Sequence, residues 1–199
     1  MKYQEFKKYI LAELDENLPS DLYYHSYDHI LDVYNASRRL AESEGVSPED
    51  RSILYTAVFL HDSGFMETTH KGHEKRSCDI ARRILPDYDY TEAQIDHICD
   101  MIMATKIPQS PKDELGQIIC DADLDYLGRD DFDKISHQLY LEMKAYDLVS
   151  NIQEWNKIQV NFFHDHHYFT DTAKSTRAAK KAEHLKELED IVASYGHSQ

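Results

Sequence analysis

Several side chains that can bind a metal or move a proton stand at spacings that bring them together. His25 and His29 are four residues apart, so both project from one face of a helix or its entry. His61 and Asp62 end the apolar run AVFL, and Asp121 and Asp123 sit inside IICDADLDYLG, apolar on both sides. A buried carboxylate or imidazole without a partner is costly, and a divalent cation is the simplest partner they share. Two imidazoles with two carboxylates suit one borderline divalent ion: Mn²⁺, Fe²⁺, Ni²⁺, Co²⁺ or Zn²⁺, with Mg²⁺ as the hard alternative. Positions left open for water make such a centre catalytic rather than structural. His73 and His97 are the remaining inward or helix-end histidines.

These residues need helices to hold them, and helical periodicity dominates the chain. It predicts helices over 3–17, 27–44, 48–61, 71–85, 92–105, 113–127, 130–148, 151–169 and 171–195. Ser47-Pro48-Glu49-Asp50 is a helix start, with a Ser cap, Pro at the first position and acids in the first turn. Thr91-Glu92-Ala93-Gln94 matches a capping box. Loops are expected at 63–70 and 107–112, bordering the pocket. No alternating strand pattern stands out. The expectation is an all-α, single-domain helical bundle over 1–199, with the metal-site core in about 20–130 and C-terminal helices packing on it.

Composition bounds the partners. The 199 residues suffice for one domain with a real core. A net charge of −15 argues against a grip on nucleic-acid polymers or anionic membranes, which needs a positive face. A small anionic substrate held by a metal is still compatible. No apolar run is long enough to span a bilayer. Cys78, Cys99 and Cys120 form no CxxC pair and read as reduced, buried thiols of a cytoplasmic protein. A homodimer is a candidate assembly, and the charge-paired last helix is a candidate partner surface.

The order of these residues resembles the HD superfamily of metal-dependent phosphohydrolases. The pattern H…HD…D is here His29, His61-Asp62 and Asp123. YHSYDHILDV resembles the YHxxxH segment seen also in cyclic-nucleotide phosphodiesterases. HDSGF resembles an HDxG turn, HEKRS an HExxS segment, and DADLDYLG the stretch holding the last ligand. The resemblance implies a metal held by His29, His61, Asp62 and Asp123, with Asp123 preferred over Asp121. It also implies His25 as general acid. Two-metal members carry a further histidine at the end of the fifth helix, where this chain has Thr105-Lys106; one metal is therefore expected.

The expected reaction is hydrolysis of a phosphate ester of a nucleotide or another small phosphorylated metabolite. Asp62 or Asp123 would take the proton of water, with Glu74 a rival base. His73, Lys106 and Arg76 are candidate substrate contacts, Lys106 standing where the second histidine is missing. The alternatives are a hydratase or iron oxygenase on the same scaffold, or a non-catalytic nucleotide-sensing module. His97 reads as packing or surface. The HDHH stretch at 164–167 cannot converge on a helix and reads as an exposed polar patch.

Overall fold

The computed structural model describes residues 1–69 and 71–197, the side chain of His197 excepted. His70, the last residue of the loop expected at 63–70, lies outside the described residues. The periodic stretches become nine helices among those described: α1 (Tyr3–Asn17), α2 (Tyr27–Ser43), α3 (Pro48–Leu60), α4 (His73–Ile84), α5 (Glu92–Ala104), α6 (Glu114–Asp123), α7 (Phe132–Ala145), α8 (Ile152–Asp165) and α9 (Asp171–Ser194). The described residues contain no strand.

The starts follow local chemistry. Ser47 Oγ accepts from Asp50 N at 3.1 Å ahead of Pro48. Thr91 and Gln94 close a reciprocal box on α5. Ser26 caps α2, accepting from His29 N at 3.4 Å, so a candidate ligand lies in that helix's first turn. The middle of the fold is α3, where Ile53, Leu54, Ala57, Val58, Phe59 and Leu60 are all buried. A helix apolar all round must be central. It is this burial that carries His61 and Asp62 inside.

Two of the resulting apolar clusters border the candidate ligands. The larger joins α1 to α6, from Phe6 and Ile10 through Leu54 and Phe59 to Ile118 and Ile119. The smaller joins Tyr24, Leu124, Tyr126, Phe132, Phe163 and Leu188, linking the turn after α6 to α7, α8 and α9. The candidate ligands lie where the two meet: the Tyr24 ring of the smaller cluster is 4.5 Å from that of His29.

Two helix ends fall four residues short of the periodicity, and α7 ends three short at Ala145. The sixth helix ends at Asp123, not 127, and the chain tightens into a 3-10 turn over Asp125–Gly128. Gly128 permits that turn to touch α9, because a Cβ there would stand 2.4 Å from the Arg177 carbonyl oxygen. Buried Asp125 holds the same junction by pairing with Arg177 and Arg39. The eighth helix ends at Asp165, and residues 166–169 leave it as an extended strap.

Asp121 anchors that strap. It is fully buried and accepts from Phe169 N at 2.8 Å, Thr170 N at 2.8 Å and Thr170 Oγ1 at 2.7 Å. Asp121→Ala would orphan all three donors, so a loss of about 3–5 kcal/mol is expected. A melt should fall by roughly 6–20 °C at this chain length, while metal bound per folded molecule stays unchanged.

Candidate metal centre

Three elements deliver the candidate ligands: His29 from the first turn of α2, His61 and Asp62 from the end of α3, and Asp123 from the last residue of α6. Ligand atoms of His29, His61 and Asp123 lie within 4.8 Å of one another. Asp123 Oδ1 is 3.2 Å from His29 Nε2 and 3.6 Å from His61 Nε2. Asp62 Oδ2 is 3.2 Å from His61 Nε2 and 3.5 Å from His29 Nε2.

Nε2 of His29, Nε2 of His61 and Oδ2 of Asp62 are each buried without a hydrogen-bond partner. His61 Nδ1 donates to the Val58 carbonyl at 2.7 Å, which leaves Nε2 as the ligand atom. Three orphaned donor atoms facing one point, with Asp123 beside them, fit a borderline divalent cation.

Electrostatics point the same way. Burial pulls the His61 imidazole down, but Asp62 and Asp123 more than reverse this and hold it well above the ordinary histidine value. Burial raises Asp123, and the nearby imidazoles of His29 and His61 bring it down to about 2. A cation entering here must therefore displace a proton from His61. Metal affinity should fall as pH falls, and binding should release a proton. Calorimetric titration in buffers of different ionisation enthalpy measures that release; no buffer dependence at neutral pH would refute it.

The turn after α3 is locked from α4. Ser77 Oγ donates to the His61 carbonyl at 2.8 Å and accepts from Gly64 N at 2.8 Å. Gly64 is there for clearance, since a Cβ would stand 2.0 Å from the His73 carbonyl oxygen. That approach puts His73 over the centre. Its Nε2 is 3.4 Å from Asp62 Oδ1 and 3.7 Å from Glu74 Oε1, and its ring stacks on Phe65 at 4.2 Å. Phe65 in turn lies 4.6 Å from the His25 ring.

His25 brings in a residue that the spacing of the first half does not disclose. Glu142 on α7 is fully buried, and its Oε1 pairs with His25 Nδ1. Its Oε2 accepts from Tyr24 N at 2.8 Å and His25 N at 3.0 Å. The signal was present: Ile135, Leu139 and Glu142 fall on one helical stripe at i, i+4 and i+7, so an acid occupies a core-facing position.

The structure thus gathers His25, His29, His61, Asp62, His73 and Asp123, with Glu74 beside His73. Asp121 is spent on the strap. Arg76 pairs with Glu67 and with Asp79 at 3.5 Å, and Lys106 is exposed just beyond α5. His97 bonds Asp113 at 2.7 Å on the surface. The reading of HDHH as a single exposed patch is corrected. His164 and Asp165 end α8, but the strap turns His166 inward and buries both its ring nitrogens.

Comparison with known proteins bears on the family and on the fold. A family model described as HD domain matches residues 26–125, which contain all four candidate ligands. An uncharacterized protein of Clostridium beijerinckii is 34% identical over 90 residues, covering 43% of this chain and 55% of that one, so the chain spans about half of this relative's length. A crystal structure from Lactobacillus plantarum superposes with a TM-score of 0.72 at 19% identity, covering 100% of both chains. Bacillus subtilis YpgQ, solved in complex with ADP, gives 0.62 at 17% identity over 96% of this chain and 97% of its own. A predicted HD superfamily hydrolase from an uncultured Thermotogales bacterium gives 0.58 at 16%, covering 96% and 92%. At these identities the three structures establish a shared fold.

Proposed function

The chain belongs to the HD-domain family, and from that premise we propose that it is a metal-dependent phosphohydrolase cleaving a phosphate ester of a nucleotide or another small phosphorylated metabolite. The observation that carries the reading is the convergence of three orphaned ligand atoms, from His29, His61 and Asp62, beside Asp123. A divalent ion held by His29, His61, Asp62 and Asp123 would supply Lewis acidity, activating water and polarising a phosphoryl oxygen.

The chain's own residues divide the remaining work. Asp62 directs Oδ2 toward the two histidines and Oδ1 toward His73. It accepts the proton of the attacking water, and His73 with Glu74 provides the next acceptors outward. His25 stands across the centre, 6.0 Å from the His29 ring. Its Nδ1 is committed to Glu142, so Nε2 is the atom that protonates the leaving oxygen. Phe65 packs against the rings of both His25 and His73. Arg76 reaches a phosphate only by releasing Glu67, and Lys106 contributes positive charge from beyond α5. The ADP found in YpgQ supports a nucleotide as the substrate class.

The test is elemental analysis of protein purified without chelator, followed by a panel of phosphorylated metabolites with Mn²⁺, Ni²⁺ or Co²⁺. About one transition-metal ion per chain and phosphate release that chelator abolishes are expected. Two ions per chain would make His73 a ligand. No ion taken up, even on soaking, would overturn the reading.

A further inference from the structure

Beyond the centre, the strap at 166–169 covers a cavity of about 290 Å³. One wall is the loop after α5, with Ile107, Pro108 and Gln109; the other includes Phe162, His166 and Phe169. Three polar atoms of this lining are buried without a hydrogen-bond partner: Gln109 Oε1, His166 Nδ1 and His166 Nε2. Buried polar groups are nearly always hydrogen-bonded, so each of these atoms is a position that a bound group can satisfy.

The lining says what that group is. Gln109 Nε2 donates to the Cys120 carbonyl at 2.9 Å. A carbonyl only accepts, so the amide orientation is fixed and Oε1 is the free acceptor. Burial, with Lys181 and His167 adjoining, pushes the His166 imidazole down to about 3, so the ring is neutral and offers one donor and one acceptor. The described lining includes Asp165 and neither Lys nor Arg. An anionic group is therefore disfavoured. Phe162 and Phe169 supply flat apolar surface, and the Phe162 ring lies near parallel to His166, at 24° and 5.9 Å. Flat walls and unpaired neutral hydrogen-bonding atoms together suit a planar nitrogen heterocycle.

The cavity is also placed to serve the metal centre. Cys120, which holds Gln109, lies three residues before Asp123 on α6, a rise of about 4.5 Å. The Asp123 carboxylate acts electrostatically on His166. We propose that this cavity is a nucleobase site for the substrate whose phosphate lies at the metal centre, and that Gln109 Oε1 selects bases bearing an exocyclic amino group. The proposal rests on the phosphohydrolase reading for the identity of the ligand's other end.

Unphosphorylated nucleosides separate the two. Cytidine, uridine, adenosine and inosine would be titrated calorimetrically into the full chain, with chelator and with Mn²⁺. Cytidine should bind at least about tenfold more tightly than uridine, and adenosine than inosine, with or without metal. Gln109→Leu should erase the difference; the wild-type comparison needs no variant and stands if that one fails to fold. Absence of nucleoside binding, or equal affinity within each pair, overturns the base site even where phosphate esters are hydrolysed. Discriminating binding without any phosphate-ester hydrolysis supports the base site and refutes the phosphohydrolase.

Discussion

His61→Ala is expected to leave the protein with almost no bound transition metal and to lower kcat/KM at least about 10³-fold, equivalent to about 4 kcal/mol of transition-state stabilisation. His61 is 1% exposed, and with Nδ1 bound to Val58 it has one atom to offer the centre. Removing it takes away a ligand and the partner of two buried carboxylates. Breaking a buried pair in this way costs about 3–5 kcal/mol, so the melt must be recorded beside the activity. Asp62→Asn keeps shape while weakening the ligand, and separates loss of metal from loss of fold. If either variant retained a full complement of metal and its activity, the ligand assignment would be refuted.

Glu142→Gln should act differently. It preserves volume but places an amide NH₂ where the carboxylate accepts from Tyr24 N, His25 N and His25 Nδ1. Metal content should be unchanged, because none of these atoms belongs to the ligand cluster. Turnover should fall about 10²-fold or more, the scale of general acid–base catalysis. The loss should fall on kcat rather than KM, and depend on the leaving group. A 4-nitrophenyl ester, which departs with little help, should lose far less than an alkyl ester. An equal loss on both would show that Glu142 only holds the fold, and that His25 is not the acid.

The sequence discloses the candidate metal centre better than its surroundings. His25 and His29 share a helix face, and AVFLHD shows its burial through the apolar residues before it. The starts of α3 and α5 are readable because Ser47-Pro48 and Thr91…Gln94 act on their own neighbours. What was hidden is set by distant contacts. The apolar pattern of α6 runs on to Leu127, yet the helix stops at Asp123 and the following turn packs on Arg177. The HDHH stretch is helical in pattern, yet Asp121 draws residues 169 and 170 away and turns His166 inward. Glu142 meets His25 across 117 positions of sequence, and no local spacing encodes that.

Glu142 has a bearing on how such a chain diversifies. The four candidate ligands fall within the segment matched by the family model, and Glu142, which pairs with His25, falls outside it. So do the strap and the aromatic wall of the cavity beside it, Phe162 and Phe169. On the proposed reading, capturing a cation and steering a proton are thus entrusted to different stretches of polypeptide, joined at a handful of buried contacts. Exchanging the trailing helices for another set would leave the ion in place while altering which bond is broken and on what molecule. In an engineering setting, the second half of the chain is accordingly the part to randomise when a new reactivity is sought.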